Sequence, residues 1–383
     1  MKLAFVSWMM SSGSIIVGLN GALQKRFVLQ PQTPLIPGNV HRASAIQTGV
    51  GGKGQDVAIS MACLKCTGDL KLAQFVGSGP EGDLVQSLLQ TIIGDHAATS
   101  LSVRTASAMR TCTTIVGSEE STELVEPSGI VSEKEQQTLL EKLSATVSDP
   151  SAICIMGSMP PGLPADMYAK IYEAVASANT LCVMDSVTGL EQMMKALSGR
   201  ALLKINASEL CQLSGIKKST SEAGGIALDE LIQAVKAFII KFDALHVLDG
   251  LAITDGKHPS FLVSFGETKF EIYKIATPAL DADIVLYPIG AGDSVAAGTL
   301  ASWTSLESNK QLSQTIHTAL ERRMHTTAFI ASERTRRIEA AFAFGLACGS
   351  ASCLKEENSV FDVDDVLNLY REMKVPELVA VDS

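Results

Sequence analysis

The chain has 383 residues, 46% of them hydrophobic, with a formal net charge of −10 and eight cysteines. That is enough apolar material for one large α/β core, while the acidic balance excludes a nucleic-acid surface, which needs clustered Lys and Arg. No run approaches the ~18 apolar residues of a membrane span, and cysteines placed as in Ile153-Cys154-Ile155 read as reduced core thiols of a cytoplasmic protein.

In chain order, an apolar run from Leu3 to Met10 leads into Ser11-Ser12-Gly13, read as a disordered leader over 1–13. Its faint likeness to a targeting signal leaves an organelle open. Ser14 to Asn20 reads as a buried strand ending at a polar residue, and Lys25 to Gln47 as short exposed strands that could form a lid. A Gly-rich turn, Gly49 to Asp56, opens the small-residue helix Val57 to Cys66. Cys63 and Cys66 form a C-x-x-C there, but no second pair has zinc-type spacing, so packing is the expected role.

Leu72 to Val76 is strand-like and Glu81 to Ile93 helix-like; Leu101 to Val125 is a second patch of short alternating strands. The two patches fit one small sheet covering an α/β core. From Ser132 helix and strand then alternate: helix to Ser148, strand Ala152 to Met156, helix Pro164 to Ala178, strand Leu181 to Asp185, helix Gly189 to Leu197, strand Ala201 to Ile205. This is the pattern of a parallel sheet with crossover helices. Further strands are expected at Leu245 to Thr254 and Asp283 to Tyr287, with the turn Asp255 to Pro259 after the first. A polar, helix-prone stretch from Ser302 to Glu339 carries Arg322, Arg323, Arg334, Arg336 and Arg337, which read as a solvated helix face. Helices at Ala340 to Leu354 and Val363 to Lys374 close the chain, and the tail after Pro376 is expected to fray.

Three segments carry possible chemistry. In Pro288-Ile289-Gly290-Ala291-Gly292-Asp293 a bendable turn meets a helix whose unpaired N–H groups and dipole favour an anion. Asp293 there is either a base that deprotonates an alcohol beside a phosphate or a helix-capping acid. Lys53, in the first Gly-rich turn, either reaches a substrate phosphate or solvates a loop. Asn206 and Glu209, just past a strand end, either hold hydrated Mg²⁺ or form a capping box.

Taken together, the segments resemble the PfkB (ribokinase-like) carbohydrate kinase family from about Ile15 to Tyr370. Gly51-Gly52-Lys53-Gly54 and Pro288 to Gly298 are similar to its two signatures, Lys204-Ile205-Asn206-Ala207-Ser208-Glu209 to its Lys-Pro-Asn-x-x-Glu, and Ile253-Thr254-Asp255-Gly256 to its nucleotide-side strand and turn. Arg110-Thr111, Thr122 to Pro127 and Gly157-Ser158-Met159-Pro160-Pro161-Gly162 resemble the branch containing 1-phosphofructokinases and tagatose-6-phosphate kinases. The resemblance implies a three-layer α/β/α kinase domain over 14–375, with lid strands within about 22–48 and 99–126, a helical insertion at about 304–338 and a tail at 376–383. It also implies a catalytic group of Asp293, Gly290, Ala291 and Gly292, the backbone N–H groups from Ala291 to Asp293 stabilising the transferred phosphoryl. A sugar phosphate would meet Asn20, Gln24, Gly51, Gly52, Lys53, Asp56, Arg110 and Glu126. ATP would meet Lys204, Thr254, Gly256, Gly290 and Gly292, with Mg²⁺ near Asn206 and Glu209 through water. Homodimer is an assembly it allows.

The family pattern is altered at the sugar. Gly21 stands for a Pro, Gln24 for the usual Asp and Asp56 for the usual Asn; Tyr287 stands for a common Asp or Asn before the catalytic turn, and Pro259 for a Gly in the nucleotide loop. These changes leave two other readings, a non-catalytic binding or regulatory relative and a kinase for an unphosphorylated sugar or nucleoside.

Overall fold

The computed structural model describes residues 13–382, except 31–33, 67–69, 118–120, 148, 218–223, 282–285 and 309–311. The strands are β1 (Ser14–Val17), β2 (Ala22–Leu29), β3 (Ala43–Gly51), β4 (Leu70–Ser78), β5 (Leu101–Ala108), β6 (Thr111–Val116), β7 (Ser121–Val125), β8 (Ala152–Met156), β9 (Leu181–Asp185), β10 (Arg200–Asn206), β11 (Gly250–Asp255), β12 (His258–Phe265), β13 (Phe270–Ile275) and β14 (Glu377–Asp382). The helices are α1 (Lys53–Cys63), α2 (Pro80–Ile93), α3 (Asp95–Thr99), α4 (Glu133–Thr146), α5 (Met167–Val175), α6 (Leu190–Ala196), α7 (Ala207–Ser214), α8 (Leu228–Phe242), α9 (Ala244–Val247), α10 (Ala291–Ser308), α11 (Gln314–Thr326), α12 (Glu333–Ser352) and α13 (Val363–Glu372).

Ten strands form one sheet in the order β14-β13-β12-β11-β10-β9-β8-β1-β4-β5. Pairing is parallel from β11 through β5 and antiparallel from β11 to β14. Period-2 alternation sends neighbouring residues to opposite faces. Thus Ile16, Cys154, Val183 and Leu202 enter the core under α1, α10 and α12, while Ile15, Ile153, Cys182 and Leu203 enter the one under α4, α5 and α8. Strands buried on both faces read as unbroken apolar runs, which is why β8 and β9 were legible to the residue. The chain goes from β1 to β4 on one side and returns to β8 on the other, a switch point of the kind where open α/β sheets bind ligands.

A separate sheet, β3-β2-β6-β7, stands over that edge. The patch expected to supply its second half divides: β6 and β7 join it, but β5 pairs in parallel with β4 at the edge of the large sheet. Other expectations shift too. Leu245 to Thr254 splits into α9 and β11, because an apolar run of this length fits helix or strand until packing decides. The expected insertion runs from the end of α10 through α11 to the first turns of α12. The tail forms β14 against β13 rather than fraying. The leader through residue 12 and most of the strand expected at Asp283 to Tyr287 lie outside the described residues; Leu286 and Tyr287 are in no strand. No described helix is long and apolar enough to cross a membrane.

Candidate active site

Two helix starts converge at the C-terminal edge of the large sheet. Gly52, at φ 116°, caps α1, so Lys53 is the first helical residue rather than part of a loop. Gly290, at φ 83°, turns the chain into α10; side chains avoid both conformations. Ser60 of α1 shares a 2.9 Å hydrogen bond with Ser294 of α10 and donates another of 2.9 Å to the Ser359 carbonyl. Ser359 Oγ in turn donates to the Gly290 carbonyl at 3.0 Å. The helix starts are thereby fixed side by side, with both positive dipole ends directed into one space.

That space is a cleft of about 400 Å³, walled by Gly52 to Asp56, by Ile289, Gly290 and Asp293, and by the residues after β8 and β9, with Gln24, Arg110 and Glu123 reaching in from the small sheet. Asp293 is 8% exposed. Burial and then the nearby Asp185 push its carboxyl up to about 7, although Lys53 and Lys204 pull the other way. A carboxylate so placed can accept a proton near neutral pH.

Asp185, at the end of β9, was not singled out from the sequence, yet it ties the site together. Its Oδ1 accepts from Lys53 Nζ at 2.7 Å and its Oδ2 from Lys204 Nζ. Burial opposes its charge, but the two ammonium groups overcome this and hold the carboxyl below the usual range. Lys53 also approaches Glu209 Oε1 at 3.7 Å. Burial likewise works against the Lys53 charge, and Asp185 followed by Asp293 outweighs it. Lys53 therefore neither solvates a loop nor stands alone; it is 40% exposed on the cleft wall and ion-paired behind.

Asn20, Gln24, Gly52, Lys53, Asp56, Arg110, Glu209, Gly290 and Asp293 are brought together on the cleft. Arg110 donates to the carbonyls of Asn20 at 2.7 Å and Gly21 at 3.2 Å. The Asn20 amide bonds Ser158 and Ser128, and Gln24 Nε2 donates to Thr114 at 2.7 Å. Asp56 is buried, and its Oδ1 has no hydrogen-bond partner among the described residues. Burial, then Asp293 and Glu123, push its carboxyl well above the ordinary value.

Other expected residues do not reach the wall. Gly51, Ala291, Gly292 and Lys204 stand just behind it; a Cβ on Gly292 would lie 3.1 Å from Lys204 Nζ. Glu126 turns away because its Oε2 accepts the Thr111 N–H at 2.7 Å. Thr254 pairs with Asn206 at the sheet edge and Gly256 lies in the β11–β12 turn, both outside the cleft. Asn206 and Glu209 do form a capping box: Asn206 Oδ1 accepts from Glu209 N at 2.9 Å and Glu209 Oε2 from Asn206 N at 2.8 Å. Of the three N–H groups expected to face an anion, those of Ala291 and Asp293 bond back to Pro288 and Gly290, a closure the glycines alone did not reveal. Among the described residues, no group of three or more His, Cys, Asp or Glu is placed to hold a metal. Burial raises the Cys66 thiol to about 12, consistent with packing.

Residues 23–362 match the model of the pfkB family carbohydrate kinases. The chain belongs to this family. As a carbohydrate kinase it uses ATP. The pfkB kinase also resembles solved structures: phosphofructokinase-2 from Escherichia coli in complex with fructose-6-phosphate (TM-score 0.67, 20% identity, 94% of this chain and 99% of that one), a possible 1-phosphofructokinase from Thermotoga maritima (0.68, 17%, 96% and 99%) and ribokinase from Giardia lamblia (0.66, 14%, 93% and 99%). At such identities these likenesses show the ribokinase-like fold.

Proposed function

We propose that this kinase transfers the γ-phosphoryl group of ATP to a hydroxyl of a sugar phosphate, in a reaction of the phosphofructokinase or tagatose-6-phosphate kinase type, with Asp293 as base. The observation that carries the reading is the buried Asp293 at the start of α10, in the same cleft as Lys53 and Arg110. Asp293 takes the hydroxyl proton as the new O–P bond forms and the bond to the bridging oxygen of ADP breaks. Lys53 and Arg110 hold the phosphate already on the sugar, a group that a neutral-sugar or nucleoside kinase has no need to bind. The fructose-6-phosphate bound to the Escherichia coli relative is a substrate of this class. Lys204, Thr254, Gly256 and Gly292, behind and beside the cleft, form the nucleotide side, with the Gly292 N–H as the donor left to the transferred group.

The donor set suits a metal carried by phosphate oxygens and water. Both capping-box oxygens of Asn206 and Glu209 are occupied, leaving Glu209 Oε1 beside Lys53. Bound there, Mg²⁺ would neutralise charge on the ATP phosphates. The outer face of the small sheet exposes Ile46 (62%) and Leu124 (57%), apolar side chains that a second copy would cover in a homodimer.

An ADP-release assay over fructose 6-phosphate, tagatose 6-phosphate, fructose 1-phosphate, free sugars and nucleosides tests the reading. A phosphosugar should be the best acceptor, and Asp293→Asn should lose at least ~10²-fold in kcat with ATP binding retained. Preference for an unphosphorylated acceptor overturns the substrate class; an Asp293→Asn enzyme keeping a tenth of the activity overturns the base.

A further inference from the structure

A cleft of about 500 Å³ opens away from the catalytic site, between α11 and the chain segment from α13 to Val375. Thr315, Thr318, Arg322 and Thr326 recur at helical spacing along one wall. Arg371 stands on the other, and Ala319, Tyr370, Met373 and Val375 supply apolar surface. The cleft also meets Arg323, but that guanidinium is already consumed. It is buried, bidentate to the buried Glu339 of α12, and stacked over the Tyr370 ring at 5.5 Å.

Arg322 and Arg371 differ. Both are exposed, neither makes an ion pair among the described residues, and Arg371 has only a 3.4 Å contact to Asn368 Oδ1. Among the described residues no carboxylate lines the cleft, and Glu321, in the adjoining hollow beside Arg322, faces His317, in a protein whose net charge is −10. Two unpaired guanidinium groups flanking a cavity of small-ligand size, beside hydroxyl donors and an apolar floor, match a compact anion on an organic body. Of the arginines expected to form a solvated helix face, Arg323 is thus a buried strut and Arg322 stays open to the cleft, while Arg334 pairs with Asp249, Arg336 bonds the Ile330 carbonyl and Arg337 pairs with Glu307 and Glu333.

We propose that this cleft is a second binding site, separate from the catalytic one, for a small organic phosphate. The fork of each guanidinium engages phosphate oxygens, the Thr315 and Thr318 hydroxyls add donors, and the Met373–Val375 side covers the organic part.

Phenyl phosphate, which joins a phosphate to an apolar ring, is the probe. Its binding is followed by isothermal titration to the native kinase, to Arg322→Ala/Arg371→Ala and to Arg110→Ala in the catalytic cleft. The native protein and Arg110→Ala should bind alike, while the double variant loses at least tenfold in affinity. Circular dichroism and Tm of the double variant should be unchanged, since both side chains are exposed. Arg322→Lys/Arg371→Lys, which keeps the charge and loses the fork, should fall between. Abolition by Arg110→Ala, equal binding by all variants, or no binding to the native protein overturns the proposal. Binding of an acidic peptide without phenyl phosphate overturns it too, in favour of a protein-docking surface.

Discussion

Asp293 is where charge and burial most directly oppose each other, and the opposition has two measurable signs. As a base it must be unprotonated, so kcat/KM should fall as pH drops through about 7, the value to which its environment raises it. For stability the sign reverses. The folded state holds this proton more tightly than the unfolded chain, so stability is lost as pH rises from the ordinary aspartate value of 3.8 through about 7. Asp293→Asn should therefore raise Tm more at pH 8 than at pH 5, and an equal gain at both would show that the carboxyl is not carrying this strain. Gln24 and Asp56 offer a second residue-scale test, because an amide and a carboxylate stand where the family pattern has the reverse order and both line one cleft. If they act as an exchanged pair, Gln24→Asp and Asp56→Asn should each weaken sugar specificity and the double variant restore it, a coupling of roughly 0.5–3 kcal/mol; additivity sinks the exchange. These residues were readable from motif position. Asp185 was readable too, as the polar residue ending an apolar strand, the same signal that marked Asn206, but its hold on two lysines from α1 and β10 is a tertiary fact.

At the scale of elements, the small sheet is bonded to the segment that supports the Gly290 turn and not merely laid over it. Arg26 of β2 is buried, donates to Asn358 Oδ1 at 2.5 Å and sits 5.6 Å from the Tyr287 ring. Gln47 of β3 and Tyr287 both reach Glu356. Asn358 lines the cleft, and Ser359 beside it holds the Gly290 carbonyl. Displacing the small sheet therefore pulls on the segment that shapes the turn. Arg26→Met keeps the stem and cuts the link; a lost hydrogen bond to a charged group is worth about 1.5–3 kcal/mol, so sugar phosphorylation should fall roughly tenfold or more. ATP hydrolysis without sugar should rise relative to transfer, because a loosened lid admits water. An unchanged ratio of the two rates would mean the strands close the site without this bond. Sequence alternation located these strands but could not say which sheet each enters. Leu101 to Ala108 alternates like a lid strand, yet β4 is its partner, and Glu377 to Asp382 becomes a strand only because β13 offers an edge.

Across the whole molecule, the three-layer order was legible because the central parallel strands β1, β8 and β9 are buried on both faces, whereas the contact between α10 and α12 was not, since small residues announce no partner. There the helices approach through glycines. A Cβ on Gly345 would lie 2.3 Å from Thr299 Oγ1 and 2.4 Å from the Val295 carbonyl, and one on Gly349 would lie 2.9 Å from the Ala291 carbonyl. Gly349 thus packs against the turn that carries Asp293, so the position of that carboxyl depends on how closely α12 lies. Gly345→Ala should force the helices apart, at about 1–3 kcal/mol for overpacking, read from urea unfolding. It should also lower kcat by more than the loss of folded protein explains, since a misplacement of ~1 Å at a reacting group can cost ~10²-fold. Leu143→Ala is the control. Leu143 is buried on α4 in the core on the opposite face of the sheet, so the cavity should cost about 2–5 kcal/mol while the protein that remains folded keeps its native kcat. If Gly345→Ala behaves like Leu143→Ala, stable loss without a change in kcat, then α12 supports the fold and does not set the catalytic turn.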